Sequence, residues 1–321
     1  MLAQSNKDTS IVAHYRHLLE TDHEINQPIA AVESLIALLS ASPPSTVSET
    51  LTLIESATTT LKSSTPNPIS LSAGTDLFRR YIISSLQGSA PNFDTIRSHL
   101  LSNSKLFVES AKEARSSIAR LARQLIQDGT TVLISGYSRV LKTVLHAAAD
   151  HGTAFRVVHV RSTRYAPEDA HARFLDELRR KHVPVAEIDH QALAVAARAS
   201  TFALVGAESV VENGGIISAM GTEQIGILMK NLDKQLYVAA ESHKFVRFYP
   251  LSSKDIGLED GVLKFNGDES TPKIKETGSE PAATLKTRLE FTPPELITAL
   301  ITESGIHRPN AVSEELLKAW Y

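Results

Sequence analysis

The strongest constraint on this chain is an alternation that begins near residue 131. Short strand-like runs at Thr131–Ser135 (TVLIS), 155–160, Val185–Ile188, 202–205 and Leu236–Ala239 are separated by helical stretches at 139–150, 167–181 and 191–199. Strands that alternate with helices predict a parallel, doubly wound sheet with right-handed crossovers. In such a sheet ligands bind just beyond the carboxyl ends of the strands. The segment 204–251 places acids, amides and glycines at two such ends. Gly206-Ala207-Glu208 and the turn Glu212-Asn213-Gly214-Gly215 follow one strand, and Glu241-Ser242-His243-Lys244 follows another. A helix is expected between the turn and the second strand.

Residues 1–127 read differently. Ile29, Val32, Leu35, Ile36 and Leu39 recur at helical spacing, and Ser42-Pro43-Pro44 stops that helix. Val47, Leu51, Ile54, Ala57 and Leu61 form a second stripe. A third helix is expected over 75–85, and a long one follows Asn103, with Phe107, Ala111, Ala114, Ile118, Leu121 and Leu125 on one face. The fold class is therefore α/β, with a helical domain at 1–127 followed by a sheet domain at 128–321. Residues 262–287 are polar, rich in Pro and Gly, and read as a mobile surface loop. Helices are expected near 294–303 and 313–320.

Composition bounds the function. At 321 residues and 42% hydrophobic content a sizeable core is available. The net charge of −3 lacks the basic excess of a nucleic-acid binder. No apolar run is of membrane-spanning length, and the polar N-terminus lacks the pattern of a signal peptide. The expected location is the cytoplasm. Cysteine is absent, which removes disulfides, thiolate metal ligands and a thiol nucleophile. There is no G-x-G-x-x-G after a strand, no P-loop and no G-x-S-x-G elbow.

The candidate chemistry lies at strand ends. Gly136, Tyr137, Ser138 and Arg139 join a strand to a helix, and a helix N-terminus suits phosphate. Arg139 would add a bidentate contact. The alternative is an ordinary turn with Ser138 as the cap. Glu208 is either a ligand-facing carboxylate, able to act as general acid or base, or a structural acceptor for the Asn213-Gly214-Gly215 turn. Arg161 and Arg164 are candidates for neutralising an anion, or solvated loop residues. His14 and His17 share a helix face and His23 lies beyond it; too few ligands are present for a metal site, so they read as surface residues. Pro28-Ile29-Ala30-Ala31 starts an apolar helix, either approached by a ligand or packed tightly on its neighbour.

The strings VVENGGII, MGTEQ, VAAESHKFVRFYPL, GYSRV, FTPPELITALITESGI and NAVSEELLKAWY resemble the subunit family of eukaryotic translation initiation factor 2B, its alpha subunits above all. The similarity runs from about Pro28 to Tyr321. The same family holds methylthioribose-1-phosphate and archaeal ribose-1,5-bisphosphate isomerases, and the resemblance implies a Rossmann-like second domain. It sets the isomerases' catalytic Cys on Gly136 and their Asp on Glu208, and their Asn-Lys on Ser218-Ala219. Glycine moves no proton, so the resemblance implies a non-catalytic regulatory subunit, with no cofactor. An inherited crevice for a sugar phosphate or nucleoside monophosphate is implied at Thr75, Gly136, Tyr137, Ser138, Arg139, Glu208, Asn213 and Gly214. The implied partners are a second copy of the chain, the beta, gamma, delta and epsilon subunits of the exchange factor, and initiation factor 2 with its alpha subunit phosphorylated. Neither nucleic acid nor membrane is implied. Segments 245–251 and 294–321, with Phe248, Tyr249 and Trp320, are the candidates for dimer burial. The rival reading is an aldose-ketose isomerase in which Glu208 works with Tyr137.

Overall fold

The computed structural model describes residues 2–22, 25–41, 46–65, 68–86, 108–111, 113–161, 168–256 and 289–314. The loop expected at 262–287, His23, Arg164, Trp320 and most of the helix expected at 313–320 lie outside the described residues. In chain order the helices are α1 (Leu2–Thr21), α2 (Gln27–Ala41), α3 (Val47–Ser63), α4 (Pro68–Leu86), α5 (residues 113–122), α6 (Arg139–Asp150), α7 (Glu168–Arg180), α8 (Leu193–Ala199) and α9 (Thr222–Asn231). The strands are β1 (Thr131–Ser135), β2 (Arg156–Val160), β3 (Val185–Ile188), β4 (Phe202–Gly206), β5 (Ser209–Val211), β6 (Ile216–Ala219), β7 (Leu236–Ala239), β8 (Phe245–Val246), β9 (Leu289–Thr292), β10 (Ala299–Thr302) and β11 (Gly305–His307).

The chain forms two compact units. One holds Met1–Ala114 with Glu241–Val246, the other Arg115–Ala240 with Arg247–Leu316. The sequence changes texture at 127/128, whereas the boundary between the units falls inside α5. The short segment 241–246 belongs with the helices although the sheet surrounds it in sequence.

In the helical unit the predicted stripes face inward. Ile29, Val32, Leu35, Ile36 and Leu39 of α2, Ile54, Ala57 and Leu61 of α3, and Leu71, Phe78 and Ile82 of α4 share one core. Thr46 caps α3, its hydroxyl oxygen accepting from the Glu49 amide at 3.1 Å. The third helix begins at Pro68 rather than near Thr75; proline is favoured at a first helical position, where no amide partner is needed. Asn26 caps α2 through the Ile29 amide (3.1 Å), and its amide nitrogen meets His243 Nε2 at 2.7 Å. Ala30 and Ala31 are fully buried, and a side chain at Gly74 would come within 3 Å of Pro28. Small residues at the start of α2 thus allow α4 to approach closely.

In the second unit seven strands lie in the order β11-β10-β7-β4-β1-β2-β3. Every pair is parallel except β10 with β11. The chain runs outward from β1 to β3, then returns to place β4 on the other side of β1. That reversal makes the carboxyl ends of β1 and β4 the topological switch point. Continuous apolar runs suit strands covered on both faces: Val132, Leu133 and Ile134 of β1 and Phe202 to Val205 of β4 are buried. One face packs on Val140, Leu141, Val144, Leu145 and Ala148 of α6 and on Ile118, Ala119 and Ala122 of α5.

Three expectations need correction. The helix predicted near 294–303 is a 3-10 turn, Pro294–Leu296, followed by strand β10. The run Ala299-Leu300-Ile301-Thr302 is short and apolar, so periodicity does not decide its type, and pairing with β7 does. Between the Asn213-Gly214 turn and helix α9 the chain forms a strand: β5 and β6 make a hairpin, and β9 adds to its far edge. Ser138 starts α6 in extended conformation, but its hydroxyl accepts no capping bond from the helix amides.

Candidate functional site

The switch point gathers the β1–α6 turn and the end of β4. Gly136 has φ of 62°, a left-handed conformation that costs glycine nothing and other L-residues about 1–2 kcal/mol. Its amide donates to the Val160 carbonyl at 3.1 Å, and its own carbonyl faces His159 Nε2 at 3.2 Å. The turn is therefore held from both sides by β2. Next door, a Cβ on Gly206 would come within 2.5 Å of Ser138 Oγ, so β4 can pass only as glycine. Gly136, Tyr137, Ser138, Arg139, Gly206 and Glu208 thus converge. Glu208 and Arg139 are half-buried, and the Glu208 amide donates to the Ile217 carbonyl at 2.8 Å.

Behind the turn lies an aromatic cluster that single-sequence patterning missed. His159 is 1% exposed and stands edge-on to His171, ring centroids 5.4 Å apart; Tyr137 packs on His171 and Phe174. Burial, with the neighbouring His171 adding to it, lowers the His159 pKa to about 4. The ring is neutral at pH 7, and Nε2 carries the hydrogen that the Gly136 carbonyl accepts. His171 is lowered too, by burial.

A second anchor is Glu290. Its carboxylate accepts from the Glu223 amide at 2.7 Å and also from the amides of Gly221 and Thr222, which open α9. That helix N-terminus is filled by the chain's own carboxylate. Burial outweighs these donors and raises the Glu290 pKa to about 7. In the register of β6 and β9, Glu290 stands beside Ser218.

The remaining predicted residues have local partners of their own. Asn213 Oδ1 accepts from the Gly215 amide and Nδ2 donates to the Pro250 carbonyl, both at 2.9 Å. Gly214 has φ of 86°, and a Cβ there would lie 2.1 Å from the Pro309 carbonyl oxygen. Both residues hold the hairpin tip. Thr75, in the helical unit, is 1% exposed, and its hydroxyl donates back to the Leu71 carbonyl at 3.1 Å. Arg161 pairs with Asp189 at 3.2 Å, both largely exposed. His14 and His17 are exposed on α1. In the helical unit Glu241 and Lys244 form a buried pair at 2.9 Å. Among the described residues no group of three or more His, Asp or Glu could hold a metal, and no helix is long and apolar enough to cross a membrane.

A mostly parallel, doubly wound sheet preceded by a helical unit defines the class, a mixed α/β fold. Residues 20–309 match the model of the initiation factor 2 subunit family, and the chain belongs to that family. It is 34% identical to translation initiation factor eIF2B subunit alpha of Dictyostelium discoideum, over 98% of each chain. It is 26% identical to the ribose 1,5-bisphosphate isomerase of Pyrococcus furiosus, over 71% of this chain and 68% of that one. Among solved structures, a chain of the tetrameric eIF2B-beta2-delta2 complex from C. thermophilum superposes with a TM-score of 0.78 at 16% identity, covering 98% of this chain and 95% of that one. That likeness gives the same fold.

Proposed function

We propose that this chain is a non-catalytic, alpha-type regulatory subunit of the guanine-nucleotide exchange factor for initiation factor 2. In this reading it works in the cytoplasm as a homodimer that bridges two sets of the beta, gamma, delta and epsilon subunits. It senses initiation factor 2 whose alpha subunit is phosphorylated. The observation that carries the reading is the end-to-end 34% identity with a subunit of that name.

The switch point supports a ligand role without turnover. No cysteine occurs anywhere in the chain. Gly136, where the resemblance sets the catalytic thiol, offers only backbone. The uncapped start of α6 with Arg139 and Ser138 suits a phosphate, and Glu208 suits sugar hydroxyls. A sugar phosphate or nucleoside monophosphate bound there would stabilise the folded protein by mass action.

The exposed segment after β8 suits dimer contact: Tyr249 is 59% and Leu251 88% exposed. Co-purification from cell extract tests the assignment. The other four subunits and initiation factor 2 are expected with the tagged chain, and their absence would remove it. Mass photometry is expected to show a dimer at micromolar concentration. The isomerase reading survives only if ribose 1,5-bisphosphate is converted, by NMR, in a manner abolished by Glu208→Gln.

A further inference from the structure

A cleft of about 410 Å³ opens on the outer faces of α5 and α6. Arg120 and Arg123 line one wall; Thr143, Asp150 and His151 line the other; Ala119 and Ala147 are among the small residues that leave it room. The cleft runs along α6 from Thr143, whose hydroxyl donates to the Arg139 carbonyl at 2.9 Å, to His151 just past the last residue, and its two arginines come from α5 and the turn after it rather than from the β1–α6 turn.

Arg120 and Arg123 are three apart at the end of α5, on one side of the chain. Among the described residues neither guanidinium has a carboxylate or carbonyl partner. Asp150 is already paired, with Lys181. The cleft thus keeps a net positive charge with its donors unfilled. Cations at helix C-termini often serve to hold the last carbonyls. At the end of α6, which faces them across the cleft, that task is done by backbone: the amides of His151, Gly152 and Thr153 donate to Ala147, Ala149 and Ala148 at 3.2, 2.9 and 3.2 Å. The arginines are left to another acceptor. Paired guanidinium forks match the oxygens of phosphate, and the imidazole of His151 and hydroxyl of Ser116 border the same space.

We propose that this cleft is a second anion site, taking the phosphate group of a small phosphorylated molecule through Arg120 and Arg123. It is independent of the crevice in the preceding subsection. The test uses the full chain with inorganic phosphate and pyrophosphate as probes, at fixed ionic strength, read by calorimetry and by ³¹P line broadening. Saturable binding is expected for the unaltered chain. It is expected to persist in Arg139→Ala, which removes the switch-point contact, and in that background to weaken at least tenfold on adding Arg120→Ala/Arg123→Ala or Arg123→Lys. Melting without phosphate controls for folding, and neutralising two adjacent like charges is expected to leave it unchanged or raised. Absence of saturable binding overturns the proposal. So does binding that vanishes in Arg139→Ala and survives in the double variant. That second outcome would leave the switch-point crevice intact, so the two readings fail separately.

Discussion

Two glycine-containing turns in the second unit look alike in sequence and differ in what their polar groups do. At the β5–β6 tip everything is satisfied inside: both ends of the Asn213 amide are bonded, and Gly214 lies against the Pro309 backbone. At the β1–α6 turn no side chain caps the helix, and Ser138 instead faces the glycine of the neighbouring strand. A turn with satisfied groups holds the fold. A turn with an uncapped helix start can still hold something else.

Substitutions sharpen the contrast. Gly214→Ala combines left-handed strain with a backbone clash and is expected to cost about 2–5 kcal/mol by chemical denaturation. Ligand affinity of the remaining folded protein should be unchanged; a mild effect on stability would show that the hairpin tip yields. Acid is next. The folded pKa of His159 lies below the unfolded value, so its contribution is complete above about pH 6.5 and is lost as pH falls towards 4, by up to about 1.4 kcal/mol per pH unit. Glu290 works the other way: its raised pKa gives stability that is complete below about 4.5 and declines as pH rises to 7. The two oppose each other between 4.5 and 6.5. Urea melts across this range should show Glu290→Gln losing stability in acid more steeply than the unaltered chain. A His159→Asn variant should lose less, and equal slopes in all three would refute the pairing.

Asn213→Ala is expected to cost about 1–3 kcal/mol by leaving the Gly215 amide and Pro250 carbonyl without their partner. The smallest stability effect belongs to the open turn. Arg139→Ala should cost about 1 kcal/mol or less, yet abolish sugar-phosphate binding at the switch-point crevice, read by calorimetry as the loss of one class of site. If it instead unfolded the protein, the two turns would be alike after all.

Much of this contrast was open to a reader of residues. The apolar runs of β1, β4 and β7 are nearly unbroken because helices cover the sheet, and such runs are hard to mistake. Placing Gly136–Arg139 and Glu208 at strand ends followed directly. The hairpin also left a signal, since Val210-Val211 and Ile216-Ile217 flank an Asn-Gly pair. The helix expected before β7 is α9, and strand β6 fits into the interval ahead of it. β10 was obscured because four apolar residues between a proline pair and a polar turn fit either period. The supports of the site were out of reach for another reason. His159 meets Gly136 across 23 residues, and Glu290 meets α9 across 67. Neither separation leaves a periodic trace, and both contacts exist only once the sheets have formed.

The bend at Gly136 also limits what a substitution there could supply. Any side chain introduced there would inherit a backbone shape that L-amino acids resist, while β2 clamps that shape from two directions. One codon change could supply sulfur without supplying a comfortable place to carry it. A reactive thiol at this position would therefore require the loop to be re-laid as well.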